Sequence, residues 1–251
     1  MVNFVGAGCG APDLITVRGM KLLEKADVII YAGSLVNPQL LEYAIADCDI
    51  YNSAFMTLDD VINVIIKAEN ENKMTVRLHT GDPCLYGAVR EQIDKLDQLN
   101  ITYDICPGVS SFCGAAAALK AEYTLPDVSQ TVIITRMSGR TPVPEKEQIS
   151  SLAAHGATMV IFLSTGMIKE LTEELINGGY DKNTPAAIVY KASWTDEKVC
   201  RCTIETLART AAENNIKKTA LITVGNFLGD NYSLSKLYDK TFETEFRKAE
   251  V

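Results

Sequence analysis

Three short apolar runs in the first half of the chain each end in a glycine-containing loop, and this pattern limits the possible folds more than any other feature. The loops cover residues 6–12 (GAGCGAP), 80–87 (TGDPCLYG) and 107–111 (PGVSS), and a helical pattern follows each of them. Strands that alternate with helices predict a mostly parallel sheet. Because the carboxyl ends of parallel strands lie at one edge, we expect the three loops to line one crevice.

The second half of the chain repeats this alternation less strictly. Apolar runs predict strands at residues 131–135, 158–163, 186–190 and 219–224, and the stretch 198–204 is typical of an antiparallel strand. Residues 122–129 contain a proline and few periodic apolar positions. A chain of 251 residues is long enough for two modest domains. We predict two α/β domains with mostly parallel or mixed sheets, one at 1–122 and one at 123–251.

Charge and cysteine usage argue against several classes of protein. The formal net charge of −8 disfavours a broad basic surface for nucleic acid. The longest apolar runs are far shorter than the roughly 20 residues of a membrane-spanning helix, and the start of the chain lacks the basic segment of a signal peptide. Seven cysteines occur without a CxxC pair, and the two histidines are far apart. We expect a cytoplasmic protein away from membranes, with reduced, mostly buried thiols and no metal site.

Each motif also has an interpretation without a ligand. The first loop resembles a dinucleotide-binding fingerprint, but its third glycine comes one residue early. The apolar run 28–31 predicts the second strand, and Ala32 stands after it where a ribose-binding acid is needed. A nicotinamide-dependent oxidoreductase is therefore disfavoured. Asp82 is compatible with a simple turn and Ser110 with a helix cap. Arg136 and Arg140 fit either a solvated loop or a site that binds carboxylates.

In order along the chain, the motifs GAGCGAP, GDPCLYG and PGVSSF resemble those of the tetrapyrrole (corrin/porphyrin) methyltransferases, which use S-adenosylmethionine. The stretches YAGSLV, LPDVSQTVIITRMSGRTPVPE and VYKASWTDE resemble the branch of this family that methylates carbon 11 of precorrin-4 or cobalt-precorrin-4. Cys9 and Ala11 depart from the family's usual proline and aspartate. Two alternatives stay open, a sibling methyltransferase that acts on another ring carbon and a non-catalytic tetrapyrrole carrier.

The resemblance implies two α/β domains with a cofactor cleft between them, a homodimer, and methyl transfer from S-adenosylmethionine to a small-molecule tetrapyrrole, with S-adenosylhomocysteine as product. It also implies cofactor contacts at Cys9, Thr80, Gly81, Asp82, Leu85, Tyr86, Ser110, Ser111, Phe162, Leu163, Ser164, Tyr190, Ala192, Thr219 and Ala220. Arg136, Arg140 and Lys191 follow predicted strand ends and are candidates for binding the carboxylates of the macrocycle. The methyl group of a sulfonium is already activated, so we attribute most of the rate to positioning and assign no catalytic base.

Overall fold

The computed structural model describes residues 1–249, and their mutual contacts divide the chain into two compact units. The first unit contains Met1–Ala115 together with Lys191–Glu197, and the second contains Ala116–Tyr190 and the chain from Lys198 onward. A domain boundary between residues 122 and 123 stays a prediction, and positions 250–251 of the predicted second domain lie outside the described residues. Within residues 1–249, no helix is long and apolar enough to cross a membrane.

A five-stranded parallel sheet forms the centre of the first unit. Its elements in chain order are β1 (Val2–Gly6), α1 (Val17–Leu23), β2 (Val28–Tyr31), β3 (Asp49–Asn52), α2 (Leu58–Asn70), β4 (Thr75–His79), α3 (Arg90–Gln98) and β5 (Tyr103–Cys106), and α4 (Ser111–Leu119) runs on into the second unit. The strand order is β3-β2-β4-β1-β5, and every pair is parallel. All residues of β1 are buried, as expected for a strand at the interior of a parallel sheet.

The second unit contains a mixed sheet of five strands. Its elements are β6 (Val132–Arg136), α5 (Ile149–Ala153), β7 (Thr158–Phe162), α6 (Ile168–Asn177), β8 (Pro185–Tyr190), β9 (Lys198–Thr203), α7 (Leu207–Glu213) and β10 (Ala220–Val224). The strand order is β6-β7-β10-β8-β9, in which β6 and β7 are parallel and the other pairs antiparallel. The structure confirms the predicted fold class of two α/β units with parallel or mixed sheets, and the antiparallel strand predicted at 198–204 is β9.

Local sequence signals explain where several helices begin. Thr57 and Asp60 form the capping box that their spacing predicts, because the side chain of each accepts the backbone N–H of the other. The apolar pattern of residues 14–26 predicts a helix over that range, but α1 is shorter and starts at Val17, because the hydroxyl of Thr16 accepts the N–H of Gly19 and caps it. The sequence prediction missed β3, an edge strand whose first two residues are exposed and which therefore lacks a continuous apolar run.

The cysteines are only partly as predicted. All seven are free. The prediction that most of them are buried is wrong, because Cys9 and Cys106 are buried whereas Cys84 and Cys113 are exposed. The two exposed thiols lie in the second glycine-containing loop and in the first turn of α4, where side chains leave the core.

Candidate functional site

The three glycine-containing loops meet at the carboxyl edge of the parallel sheet. β1 leads into the first loop, and its neighbours β4 and β5 lead into the other two. Gly8 and Gly81 exchange two backbone hydrogen bonds, with N–O distances of 3.2 and 2.9 Å. A Cβ atom on Gly108 would lie 2.2 Å from the carbonyl oxygen of Gly81 and 2.7 Å from Cα of Gly6. The close approach of these backbones requires glycine and builds the edge from peptide groups.

Asp82 joins the second loop to the third. Its Oδ2 accepts the backbone N–H of Gly108 at 2.8 Å, and its Oδ1 accepts that of Cys84 at 2.8 Å. Burial opposes ionisation, but the hydrogen bonds from Cys84 and Gly108 outweigh it and lower the pKa of Asp82. The carboxylate therefore stabilises a turn at Cys84, in agreement with the interpretation of Asp82 as a turn residue. Its contact with a cofactor stays a prediction, and each oxygen has a second lone pair for it.

Two buried polar atoms at the end of β4 have no hydrogen-bond partner among residues 1–249. They are Oγ1 of Thr80 and Nε2 of His79. Burial, together with the cation of Arg77, lowers the pKa of His79 to about 3, so its imidazole is neutral near pH 7. An unpaired buried hydroxyl costs free energy unless a ligand satisfies it. Thr80 is thus suited to the ligand contact that the sequence predicts for it.

The remaining predicted contacts of the second and third loops lie close to Gly81. A Cβ atom on Gly81 would lie 3.5 Å from Cα of Ser110 and 3.6 Å from the backbone nitrogen of Ser111. Ser110 is buried, and its carbonyl oxygen accepts N–H groups from the first turn of α4. Leu85 and Tyr86 follow in the second loop, and the Tyr86 side chain is exposed. The structure therefore groups these residues around one glycine.

The segment that follows β8 packs on the first loop, although the two are distant in sequence. The hydroxyl of Ser193 lies 3.3 Å from Sγ of Cys9 and accepts the backbone N–H of Ala11 at 3.0 Å. A Cβ atom on Gly10 would lie 2.3 Å from Cδ1 of Trp194. Sequence analysis missed the role of Ser193, because a single serine outside a motif carries no signal. Trp194 packs against the backbone of the loop.

Lys191 and Ala192 begin the same segment. The ammonium of Lys191 lies 2.7 Å from Oδ2 of Asp196 and 5.4 Å from the centroid of the Trp194 ring. Its charge is thus held within the segment, and a contact with the substrate stays a prediction. Ala192 is buried, and its carbonyl oxygen closely approaches Gly10. The predicted contact at Ala192 therefore lies on the first loop.

The predicted contacts of the second unit gather at one edge of the mixed sheet. β7 ends at Phe162, and β10 begins beside it at Ala220. Ala220 in turn pairs with Tyr190 at the end of β8. The hydroxyl of Thr165 donates to the carbonyl oxygen of Ala220 at 3.1 Å and ties the residues after β7 to the start of β10. The sheet thus collects residues that are far apart in sequence.

Ser164 has a structural role at this edge. It is fully buried, and its Oγ accepts the backbone N–H of Met137 at 2.8 Å and donates to the carbonyl oxygen of Phe162 at 2.6 Å. These bonds tie the residue after β6 to the end of β7. A cofactor contact through the backbone of Ser164 stays a prediction, since the structure shows its hydroxyl in these two bonds.

Four of the predicted site residues other than glycine have a left-handed backbone. They are Tyr86, Leu163, Lys191 and Thr219, with φ angles between +46° and +58°. This conformation costs roughly 1–2 kcal/mol for a residue other than glycine. Such strain persists only where the surroundings enforce it, and it concentrates at ligand sites. Sequence alone gave no sign of it, because none of these positions is a glycine or an asparagine.

The two arginines after β6 have different surroundings. Arg136 donates to the carbonyl oxygens of Met137, Thr141 and Pro142 at 3.0–3.1 Å. It therefore holds the shape of its own loop. Arg140, at the exposed part of that loop, faces solvent. Contacts of either guanidinium with a substrate stay predictions, and Arg140 has the more accessible side chain.

Within the described part of the chain, no group of three or more His, Cys, Asp or Glu side chains is arranged to hold a metal ion.

The sequence and the fold both match known proteins. The family model of the tetrapyrrole (corrin/porphyrin) methylases matches residues 1–208. A cobalt-precorrin-4 C(11)-methyltransferase of Methanocaldococcus jannaschii is 57% identical over 249 residues, which cover 99% of this chain and 96% of that protein. A protein of the same name from Priestia megaterium is 46% identical over 248 residues, which cover 97% of this chain and 96% of that protein.

A solved structure agrees with these relatives. The X-ray structure of a cobalamin biosynthetic enzyme, cobalt precorrin-4 methyltransferase, superposes with a TM-score of 0.89. It shares 44% sequence identity, and the match covers 91% of this chain and 96% of that chain.

Proposed function

The chain is a methyltransferase of the tetrapyrrole (corrin/porphyrin) methylase family, and on that premise we propose that it methylates carbon 11 of cobalt-precorrin-4 in cobalamin biosynthesis. The observation that carries the proposal is the 57% identity, over nearly the whole of both chains, with a relative of that name. The cobalt precorrin-4 methyltransferase whose solved structure superposes with a TM-score of 0.89 supports it. A sibling enzyme that methylates another ring carbon is the alternative.

S-adenosylmethionine is the proposed cofactor, and when bound it supplies an activated methyl group on a sulfonium. The residues of the first unit fit such a ligand. Gly6, Gly81 and Gly108 leave peptide groups without side chains in front of them. The hydroxyl of Thr80 is buried without a partner among the described residues and can meet a polar group of the ligand. Asp82, which is ionised because its pKa is lowered, can accept from a hydroxyl or amino group.

The macrocycle carries acetate and propionate groups, so a protein with a net charge of −8 needs local cations to bind it. Arg140 is the proposed contact in the second unit because it is exposed. Arg136 acts through the loop, whose carbonyl oxygens it holds. Lys191 remains a candidate whose ammonium would exchange Asp196 for a substrate carboxylate.

Positioning of the two reactants supplies the rate in this proposal. Alignment of reacting groups can contribute roughly 7–11 kcal/mol. No general base is part of this proposal, and His79, at the end of β4, is buried with a pKa of about 3. Strained backbone occurs instead at Tyr86 in the second loop and at Leu163 after β7, where the surroundings must enforce it.

Cofactor binding and methyl transfer test this function together. We expect S-adenosylhomocysteine to bind in calorimetry and NAD to give no heat. Under anaerobic conditions, mass spectrometry should show one methyl group added to cobalt-precorrin-4. The same assay with metal-free precorrin-4 measures the preference for cobalt. A protein that binds the macrocycle but neither binds S-adenosylhomocysteine nor transfers a methyl group would be a carrier.

A homodimer is proposed for the assembly. The support is a set of exposed apolar side chains in the last part of the described chain, namely Tyr232, Leu234, Leu237, Tyr238 and Phe246. Such side chains, when they share a surface, are typical of protein–protein contacts. Light scattering should give twice the mass of the chain, and Leu234→Ser combined with Phe246→Ser should give the mass of one.

The cytoplasm is the proposed compartment. All seven cysteines are free, which is typical of proteins kept in a reducing environment. Fractionation of host cells should recover the protein and its activity with the cytoplasmic enzymes, and recovery with the membranes or outside the cell would contradict this.

A further inference from the structure

Arg77 is a buried cation in the middle of the parallel sheet. It lies on β4, and the residue is 6% exposed. Its Nη1 donates to the carbonyl oxygen of Ile30 at 2.9 Å, and its Nε donates to Oε1 of Gln92 at 3.0 Å. No carboxylate among residues 1–249 forms a salt bridge with it. A buried charge is costly without a carboxylate partner, so its hydrogen bonds have to be well kept.

Gln92 connects Arg77 with the second glycine-containing loop through hydrogen bonds. It lies in the first turn of α3 and is 5% exposed. The orientation of its amide is determined, since an arginine only donates and Oε1 must face Arg77. Nε2 therefore points the other way and donates to the carbonyl oxygen of Ala88 at 2.9 Å. One side chain thus connects the buried cation with the last part of the loop.

The part of the loop held by Gln92 has a strained backbone. Tyr86 and Ala88 have φ angles of +54° and +48° without being glycines. Between them, a Cβ atom on Gly87 would lie 2.5 Å from the carbonyl oxygen of Pro83, so the loop closes tightly on itself. Residues other than glycine rarely adopt this backbone conformation, and it persists only where neighbouring groups enforce it.

We propose that Arg77 and Gln92 are positioning residues. They hold the second glycine-containing loop and the adjoining Ala88 (residues 80–88), and with them Tyr86, in the conformation that binds the cofactor. This inference rests on the proposed function, because it takes the loop to be part of the S-adenosylmethionine site. Neither residue touches the ligand in this account. They act through the carbonyl oxygen of Ala88.

Gln92→Glu separates positioning from folding. The new carboxylate still accepts from Arg77 and even pairs with its charge, but it has no donor for the carbonyl oxygen of Ala88. We expect the variant to unfold cooperatively like the wild type while the dissociation constant of S-adenosylhomocysteine rises about tenfold, the equivalent of about 1.4 kcal/mol. Gln98→Glu is the matched control, since the same change is made at an exposed position at the end of α3. It should bind as the wild type does.

Hydrogen exchange tests the same inference without a ligand. In Gln92→Glu, amides of the peptide that covers residues 82–90 should exchange about tenfold faster than in the wild type and in Gln98→Glu. Gln92→Met, which removes both bonds of the amide, should show the same increase. Unchanged exchange in this peptide in both Gln92 variants would overturn the inference. Faster exchange with unchanged affinity would overturn its link to cofactor binding.

The two proposals fail in different ways. If the wild type itself does not bind S-adenosylhomocysteine, the proposed cofactor is wrong, and hydrogen exchange still decides whether Arg77 and Gln92 hold the loop. If the wild type binds S-adenosylhomocysteine and both Gln92 variants bind it with the wild-type dissociation constant, the proposed function stands and the positioning inference is wrong.

Discussion

The two units each collect predicted ligand contacts at strand ends, but they hold the backbone at those ends by different means. In the first unit, glycines let three loops approach one another, and a Cβ atom on Gly6 or Gly108 would collide with backbone. In the second unit, side chains tie the loops together, with Ser164 joining Met137 to Phe162. The first arrangement depends on glycines, with one added side-chain link from Asp82, and the second depends on the hydrogen bonds of buried side chains.

This difference explains why one edge is visible in the sequence and the other is not. Glycine has few substitutes where backbones approach closely, so the loops of the first unit form motifs that stand out. A buried serine or an arginine that binds carbonyl oxygens looks the same in a sequence as one with no such role. The cofactor contacts predicted in the second unit came from the family resemblance alone.

The largest effect is expected where a side chain enters the glycine-built edge. In Gly108→Ala, the new Cβ meets the carbonyl oxygen of Gly81 and Cα of Gly6, neither of which can move freely. Overpacking of this kind typically costs about 1–3 kcal/mol of stability. Because the cofactor surface itself shifts, affinity for S-adenosylhomocysteine should fall by about 100-fold, or roughly 2.7 kcal/mol, in calorimetry.

Gly166→Ala is the control for that change and lies at the edge of the second unit. A Cβ there would have its nearest neighbour at 4.0 Å, and the position is exposed. The free energy of unfolding should change by less than about 0.5 kcal/mol. Equal losses in the two alanine variants would show that the units do not differ as described.

Asp82→Asn tests the side-chain link between the loops of the first unit. The carboxylate accepts from Cys84 and Gly108, and an amide can accept fully at one position only. Hydrogen bonds to a charged group are worth about 1.5–3 kcal/mol. We therefore expect affinity for S-adenosylhomocysteine to fall about ten- to a hundredfold, measured by calorimetry. An unchanged dissociation constant would contradict the role of Asp82 in the site.

The same variant has a pH signature. The pKa of Asp82 is lower in the folded protein than in the unfolded chain, where it is about 3.9. The stability that the carboxylate contributes is therefore complete above the unfolded pKa and is lost as the pH falls through the folded pKa. Urea unfolding at several pH values should show the wild type losing part of its advantage over Asp82→Asn below about pH 4. A constant difference down to lower pH would contradict the lowered pKa.

Ser164→Ala tests the side-chain tie of the second unit. It leaves the N–H of Met137 buried without its acceptor, which costs about 1–3 kcal/mol. Urea unfolding should show that loss. Ser164→Thr is the matched variant. Its hydroxyl can keep both bonds, so it should retain more of the free energy of unfolding than Ser164→Ala does. Full stability of Ser164→Ala would show that the loops of the second unit are held by other contacts.

The smallest effect on stability is expected at Arg140. Arg136→Ala removes three hydrogen bonds to loop carbonyl oxygens and should lower stability by about 1 kcal/mol. Arg140→Ala should change stability by less than about 0.5 kcal/mol but raise the Michaelis constant for the macrocycle. Cofactor affinity should stay unchanged in Arg140→Ala. Unaltered kinetics there would refute its contact with the substrate.

β2 and β5 lie at the residues predicted for them, 28–31 and 103–106. β2 is largely buried, whereas β5 is an edge strand with two exposed residues and was indicated by the glycine-containing loop that follows it. β3, the other edge strand, also has two exposed residues but has neither a continuous apolar run nor such a loop after it. The three loops of the first unit could be found from their glycines, whereas the packing of Ser193 on Cys9 joins positions far apart in sequence. Strained backbone at Leu163 and Thr219 depends on tertiary contacts that no local pattern encodes.

NMR of an isotopically labelled product tests whether the methyl group reaches carbon 11. The protein is incubated anaerobically with cobalt-precorrin-4 and S-adenosylmethionine that carries a carbon-13-labelled methyl group, and the purified product is analysed by NMR. We expect a single new labelled methyl group whose correlations place it on carbon 11, and much less label from Gly108→Ala when S-adenosylmethionine is kept well below the dissociation constant of that variant. A labelled methyl group on another ring carbon, or no label at all with the wild-type protein, would contradict the assignment.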